Sequence, residues 1–126
     1  MEMTLIDPNV AKINRRFRKE KIIMMLLLRP YTDENGSVDD ALIDSLTPEE
    51  RETLLNWVKT YIHESTYINH NRSSYSLKHC FENDTGIYVT NNQFKDAMLE
   101  CGFYPVDPDE LNWHYRISER WLKRRS

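Results

Sequence analysis

The sequence predicts an α+β fold, mostly α, with N-terminal helices packed on a second half that carries a small antiparallel sheet. Three observations predict it. Apolar residues recur at spacings of three and four behind residues that cap helices well. A β-branched and aromatic triplet, "IYV", stands between two such helical segments. Near the end, "WHYRI" switches to strict alternation, the period of a half-buried strand.

Taken in order, Val10, Ile13, Phe17 and the run from Ile22 to Leu28 predict a first helix that Pro30 ends. Lys12, Arg15, Arg16, Arg18 and Lys19 cover the rest of its first half. Its second half is apolar all round, which predicts burial between other elements or a homodimer seam through Ile22–Leu28. A turn at "TDENGS" leads to a short helix over Val38–Leu46, with Leu42 and Leu46 on one face. Thr47, Pro48 and Glu50 then supply an N-cap, a first-position proline and the reciprocal residue of a capping box. Leu54, Leu55, Val58, Tyr61 and Ile62 form the inward stripe of that helix. "STYINHNRSS" is polar and aperiodic, and reads as a linker.

After it, Ser73 or Ser74 caps a helix that turns Leu77, Cys80 and Phe81 inward, and "NDTG" stops it. Ile87–Val89 is the first predicted strand. Thr90 caps the next helix, Gln93 completes the box, and Phe94, Ala97, Met98 and Cys101 fall at i, i+3, i+4 and i+7. Gly102 suits its left-handed end. Phe103-Tyr104 and Trp113–Ile117 are predicted as two strands around "PVDPDELN". Helix, short strand, helix, strand, loop, strand is the order of a winged helix-turn-helix. The expected organisation is a helical part over 1–66, a winged-helix-like part over 67–118 and a basic tail over 119–126, within one compact domain.

The chain has 126 residues, a net charge of -3, 29% charged and 40% hydrophobic residues, enough to bury a modest core. Charge is segregated. Residues 1–31 hold seven Lys/Arg against three acids, whereas residues 32–53 hold eight acids against Arg51. The two cysteines make neither a disulfide framework nor a zinc spacing, and "IIMMLLL" is far shorter than the ~20 residues that span a bilayer. No cleavage site follows that run, so the expectation is a cytoplasmic protein.

Catalytic chemistry finds no support. His63, His70, His79 and His114 have no metal-ligand spacing, and His79 and Cys80 point about 100° apart on a helix. The three glycines form no phosphate loop. Asp33, Asn35, Ser37 and Asp44 mimic part of a calcium loop, but the glycine falls at position four and position twelve is Asp. The expectation is no cofactor, no metal and no enzymatic activity.

Nucleic-acid binding fits the element order better. The outer face of the Thr90-capped helix holds Asn91, Asn92, Gln93 and Lys95, side chains suited to base edges and phosphates. Arg72, Lys78, His114 and Arg116 add backbone contacts, and Lys12, Arg15, Arg16 and Lys19, with the tail "RWLKRR", supply further charge. Asp96 and Glu100 oppose a polyanion, and residues 67–106 carry three bases against four acids.

"YSLKHCFENDTGIYVTNNQFKDAMLECGF" followed by "LNWHYRI" resembles short proteins encoded by phages and conjugative elements of Gram-positive bacteria. More loosely, it is similar to the winged-helix segment that closes many phage primase-helicases. The match covers about residues 73–118. It implies a mobile-element origin and a winged-helix-like fold, and no activity. The expected function is therefore a mobile-element accessory or regulatory protein that binds DNA or a host nucleic-acid-handling complex. The alternative is an anti-CRISPR-type inhibitor that meets a basic nuclease groove by protein–protein contact. That would use the acidic face of Asp33, Glu34, Asp39, Asp40, Asp44, Glu49, Glu50 and Glu52.

Overall fold

A computed structural model describes residues 42–125, together with Glu20 and Met24. The contact residues expected at Lys12, Arg15, Arg16 and Lys19, the Ile22–Leu28 seam and the acids from Asp33 to Asp40 lie outside the described residues. Glu20 and Met24 are helical, and Met24 is exposed rather than buried.

The expected helix over Val38–Leu46 is, in its described part, a three-residue 3-10 turn over Ile43–Ser45 flanked by extended Leu42 and Leu46. Ile43 is the residue it buries, and Leu42 and Leu46 are only half-buried. Helix α1 spans Pro48–Tyr61 and opens on the Thr47–Glu50 capping box. Helix α2 spans Ser74–Thr85, capped by Ser73 and Ser76 and closed by Gly86 at φ 77°. Helix α3 spans Asn91–Glu100, capped reciprocally by Thr90 and Gln93. A last turn, α4, covers Arg120–Lys123.

Helix α3 is the centre of the molecule. It packs against α1, α2 and the 3-10 turn, and every residue from Asn91 to Leu99 is buried. Trp57 of α1 meets Phe81 of α2 and Phe94 of α3 edge-on, at 5.8 and 6.1 Å between ring centres. Partners meet several of the polar residues at this depth, whereas the side-chain amide of Asn92 is buried without one. The Asn91 amide donates to Asn112 Oδ1 at 2.9 Å, Gln93 Nε2 donates to the Leu42 carbonyl, and Asp96 accepts from the Ile43 amide at 3.0 Å. The Lys95 ammonium lies 4.6 Å from the centre of the Trp113 ring.

The expected antiparallel sheet is not formed, and with it the winged-helix architecture is withdrawn. Among the described residues there is no strand, only an isolated antiparallel bridge between Glu64 and Ile117. Ile87–Val89 joins no strand, and the Val89 amide donates to the Glu82 carboxylate at 3.1 Å. Trp113–Ile117 runs beside the polar stretch read as a linker. Ser118 donates to the His63 carbonyl, Ser65 to Arg116, Asn69 to Tyr115 and Ser74 to Trp113. The spacing between these bonds is irregular because residues 66–68 and 70–73 bulge out of register. The backbone is satisfied without a ladder. Alternation still holds: Trp113, Tyr115 and Ile117 are buried, while His114 is half-buried and Arg116 exposed.

Candidate nucleic-acid interface

Burial removes the expected reading face. Asn91, Asn92 and Lys95 are fully buried, and of α3 only Glu100 is exposed, held by Arg51. Lys78 is buried too, with its ammonium 3.2 Å from Glu82 Oε2 and 5.3 and 4.8 Å from the ring centres of Tyr75 and Tyr88. Arg72 forks onto Glu119, with Nε 3.1 and 3.0 Å from the two carboxylate oxygens. These bonds raise the Arg72 pKa and lower that of Glu119. His114 donates Nδ1–H to the Arg72 carbonyl at 3.0 Å. Of the expected contacts among the described residues, Arg116 alone is exposed; one of its guanidinium nitrogens donates to the Thr66 carbonyl.

A different surface gathers charge around that residue. Residues 116–125 hold five Lys/Arg against Glu119, a local +4 in a chain whose total is -3. The helical period of α4 sorts its side chains. Leu122 is buried, and Arg125 turns inward to Asp84, its Nε 2.8 Å from Oδ2. Asp84 Oδ2 also accepts the indole N–H of core residue Trp57 at 2.8 Å, so the tail is tied directly to the core. Arg120, Trp121, Lys123 and Arg124 are left exposed. None of the ion pairs among the described residues involves Arg120, Lys123 or Arg124.

Trp121 sits in the middle of this charge. The residue is 40% exposed, and its ring lies 4.9 Å from the His63 ring at 33°. The guanidinium carbons of Arg120 and Arg124 are 5.7 and 5.8 Å from its centre. The Glu64–Ile117 bridge sets His63 beside Ser118, and there the same surface opens into a cavity of about 380 Å³. Tyr67, Asn69, His70, Asn71, Ser118 and Glu119 are among its walls. Glu119 presents little free charge to it, since Arg72 and the Asn69 amide hold its oxygens.

Among the described residues no three His, Cys, Asp or Glu side chains group as metal ligands. Burial pushes the Cys101 thiol up to about 11, and Cys80 Sγ is buried against the Arg72 guanidinium at 3.3 Å. Among the described residues no helix is long and apolar enough to cross a membrane. No family model matches the chain, and neither the curated proteins nor the solved structures hold a match.

Sequence reasoning did not place Trp121, Arg120, Lys123, Arg124, Tyr67 or His63 together. The signal available was "RWLKRR", one aromatic ring among four charges and a leucine to anchor it.

Proposed function

We propose that this protein is a non-catalytic, nucleic-acid-binding accessory factor that contacts its ligand through the Arg116–Arg124 face. The reading as a regulator carried by a mobile element rests on the resemblance of residues 73–118 and belongs to the same proposal. The observation that carries it is the exposed Trp121 ring with the Arg120 and Arg124 guanidiniums beside it and exposed Lys123 on the same turn, which Leu122 and Arg125 hold to the core. Phosphate neutralisation drives affinity in such complexes, and Arg120 and Arg124, which stand in none of the ion pairs among the described residues, need break no salt bridge to meet a polyanion. Aromatic rings among the cations add a platform for bases.

Titrating an oligonucleotide into the protein at ~0.05 to ~0.3 M salt tests this. Binding should weaken as salt rises, and replacing Arg120, Lys123 and Arg124 together by Ala should flatten the slope by about 2, since each single-strand phosphate contact contributes ~0.7. All three side chains are exposed, so the variant keeps its fold. Unchanged binding by the triple variant would contradict the proposal.

A second reading, inhibition of a host protein by direct contact, is favoured by a separate patch. Tyr88 is 71% and Tyr75 42% exposed, Tyr75 stacks edge-on with His79 at 4.5 Å, and buried Lys78 fixes both tyrosine rings from beneath. Rigid exposed tyrosines are the side chains that dominate protein interfaces. In that case Tyr75→Ala and Tyr88→Ala abolish recovery of a host partner, and the triple charge variant does not.

A further inference from the structure

We infer that the ligand of this face is an unpaired stretch of nucleic acid, with one base stacked on Trp121 and a neighbouring base in the cavity beside Tyr67. The inference rests on the nucleic-acid reading above and adds the strandedness of the ligand. In a duplex the faces of the bases are consumed by their neighbours in the stack, and an aromatic ring finds only edges and phosphates. A single strand offers both faces of each base. An exposed indole is therefore of use chiefly to unpaired bases.

The indole is set in place before the ligand arrives. His63 backs the ring, and its own Nε2 meets the Thr60 carbonyl at 2.9 Å. Following it along the chain, Leu122 and the Arg125–Asp84 pair anchor the turn. The rotamer freedom that a loose tryptophan loses on binding has thus been lost on folding. Arg120 and Arg124 rest against the ring only as exposed cations, which a base displaces at small cost while they turn to the flanking phosphates.

The cavity supplies the second position. It is a shallow, open depression of about 380 Å³, within the ~300–1,000 Å³ of ligand pockets and room enough for one nucleotide. Its walls mix apolar Ile68 and Ile117 with exposed His70 and Asn71, and Tyr67, 80% exposed, is among them. Ser118 belongs to the cavity and donates its amide to the carbonyl of His63, the residue that stacks on Trp121. Ring and cavity are thus joined through one hydrogen-bonded pair. Arg116, exposed beside the bridge, adds a cation to this surface.

The protein reports on this directly. Of its three tryptophans, Trp57 and Trp113 are buried and Trp121 is exposed. The test titrates the full chain with a fluorescently labelled 12-nucleotide pyrimidine strand, then with its blunt duplex, following the label's anisotropy and the intrinsic tryptophan emission. The expected result is tighter binding of the single strand, with emission quenched by the strand and not by the duplex. Trp121→Ala should weaken single-strand binding roughly 5- to 150-fold, the range for one lost base stack, and Trp121→Phe should restore most of it. Tyr67→Ala, at an exposed position, should weaken it independently. Equal affinity for strand and duplex, or an unquenched complex, overturns this inference and leaves nucleic-acid binding standing. No binding of either at ~0.05 M salt, where surface attraction is least screened, overturns both.

Discussion

A hydroxyl with nothing to bond is expensive in a protein interior, and Tyr115 carries one. The side chain is 1% exposed, its oxygen has no hydrogen-bond partner, and burial holds its pKa well above the ordinary phenol value. Phe has the same shape without that oxygen. Tyr115→Phe is expected to raise stability by about 1–2 kcal/mol, the desolvation cost of the orphaned group, read as an increased midpoint in urea at unchanged slope. A midpoint that falls by the same amount would show that the hydroxyl is satisfied in solution. At this scale much was legible in the sequence. The caps at Thr47, Ser73 and Thr90, the buried Phe94, Ala97 and Met98, and the left-handed Gly102 at φ 93° follow from local chemistry acting within one turn of chain. The burial of Asn91, Asn92 and Lys95 was not legible. Nothing in a polar side chain says that another element will cover it, and in α3 only the surroundings decide that.

Between elements, the Arg72–Glu119 fork ties residues 69–72 to the start of the tail, and Asn69 Nδ2 adds a further bond to the same carboxylate. Hydrogen bonds from Arg72 lower the Glu119 pKa below its ordinary value of 4.5. A depressed carboxylate contributes stability that is fully present above its unfolded-state pKa and is lost as pH falls through the folded one. Glu119→Gln should therefore be less stable than the parent at pH 7. The gap between their melting temperatures should narrow once the pH drops below 4.5, the ordinary value above which the pair contributes in full. A gap constant down to pH 3 would mean that the fork carries no net stabilisation. The missing sheet belongs to this scale as well. Alternation in "WHYRI" reports that one face of an extended segment is buried, and that part held; it does not say which segment supplies the hydrogen bonds. Here "STYINHNRSS", polar and aperiodic, supplies them through Ser65, Asn69 and Ser74, and its lack of period hid the role.

Across the whole molecule, charge and architecture divide the work. Acids dominate the sequence outside 116–125: removing that segment's +4 from the total of -3 leaves -7, so a polyanion is repelled everywhere except near the tail and whichever bases the N-terminal segment contributes. Helix α3, the natural reader had the fold been a winged helix, is instead the axle around which α1 and α2 pack. The account's central claim is that ligand meets the tail-side face and not α3. Amide chemical-shift mapping by NMR, adding a short single-stranded oligonucleotide to isotope-labelled protein at ~0.05 M salt, addresses it most directly, because weak surface attraction survives at that ionic strength. The account predicts shifts clustered on His63–Asn71 and Arg116–Arg125, joined by the Trp121 indole signal, with Asn91–Leu99 unmoved. Shifts centred on Asn91–Leu99, or none at saturating oligonucleotide, would contradict it.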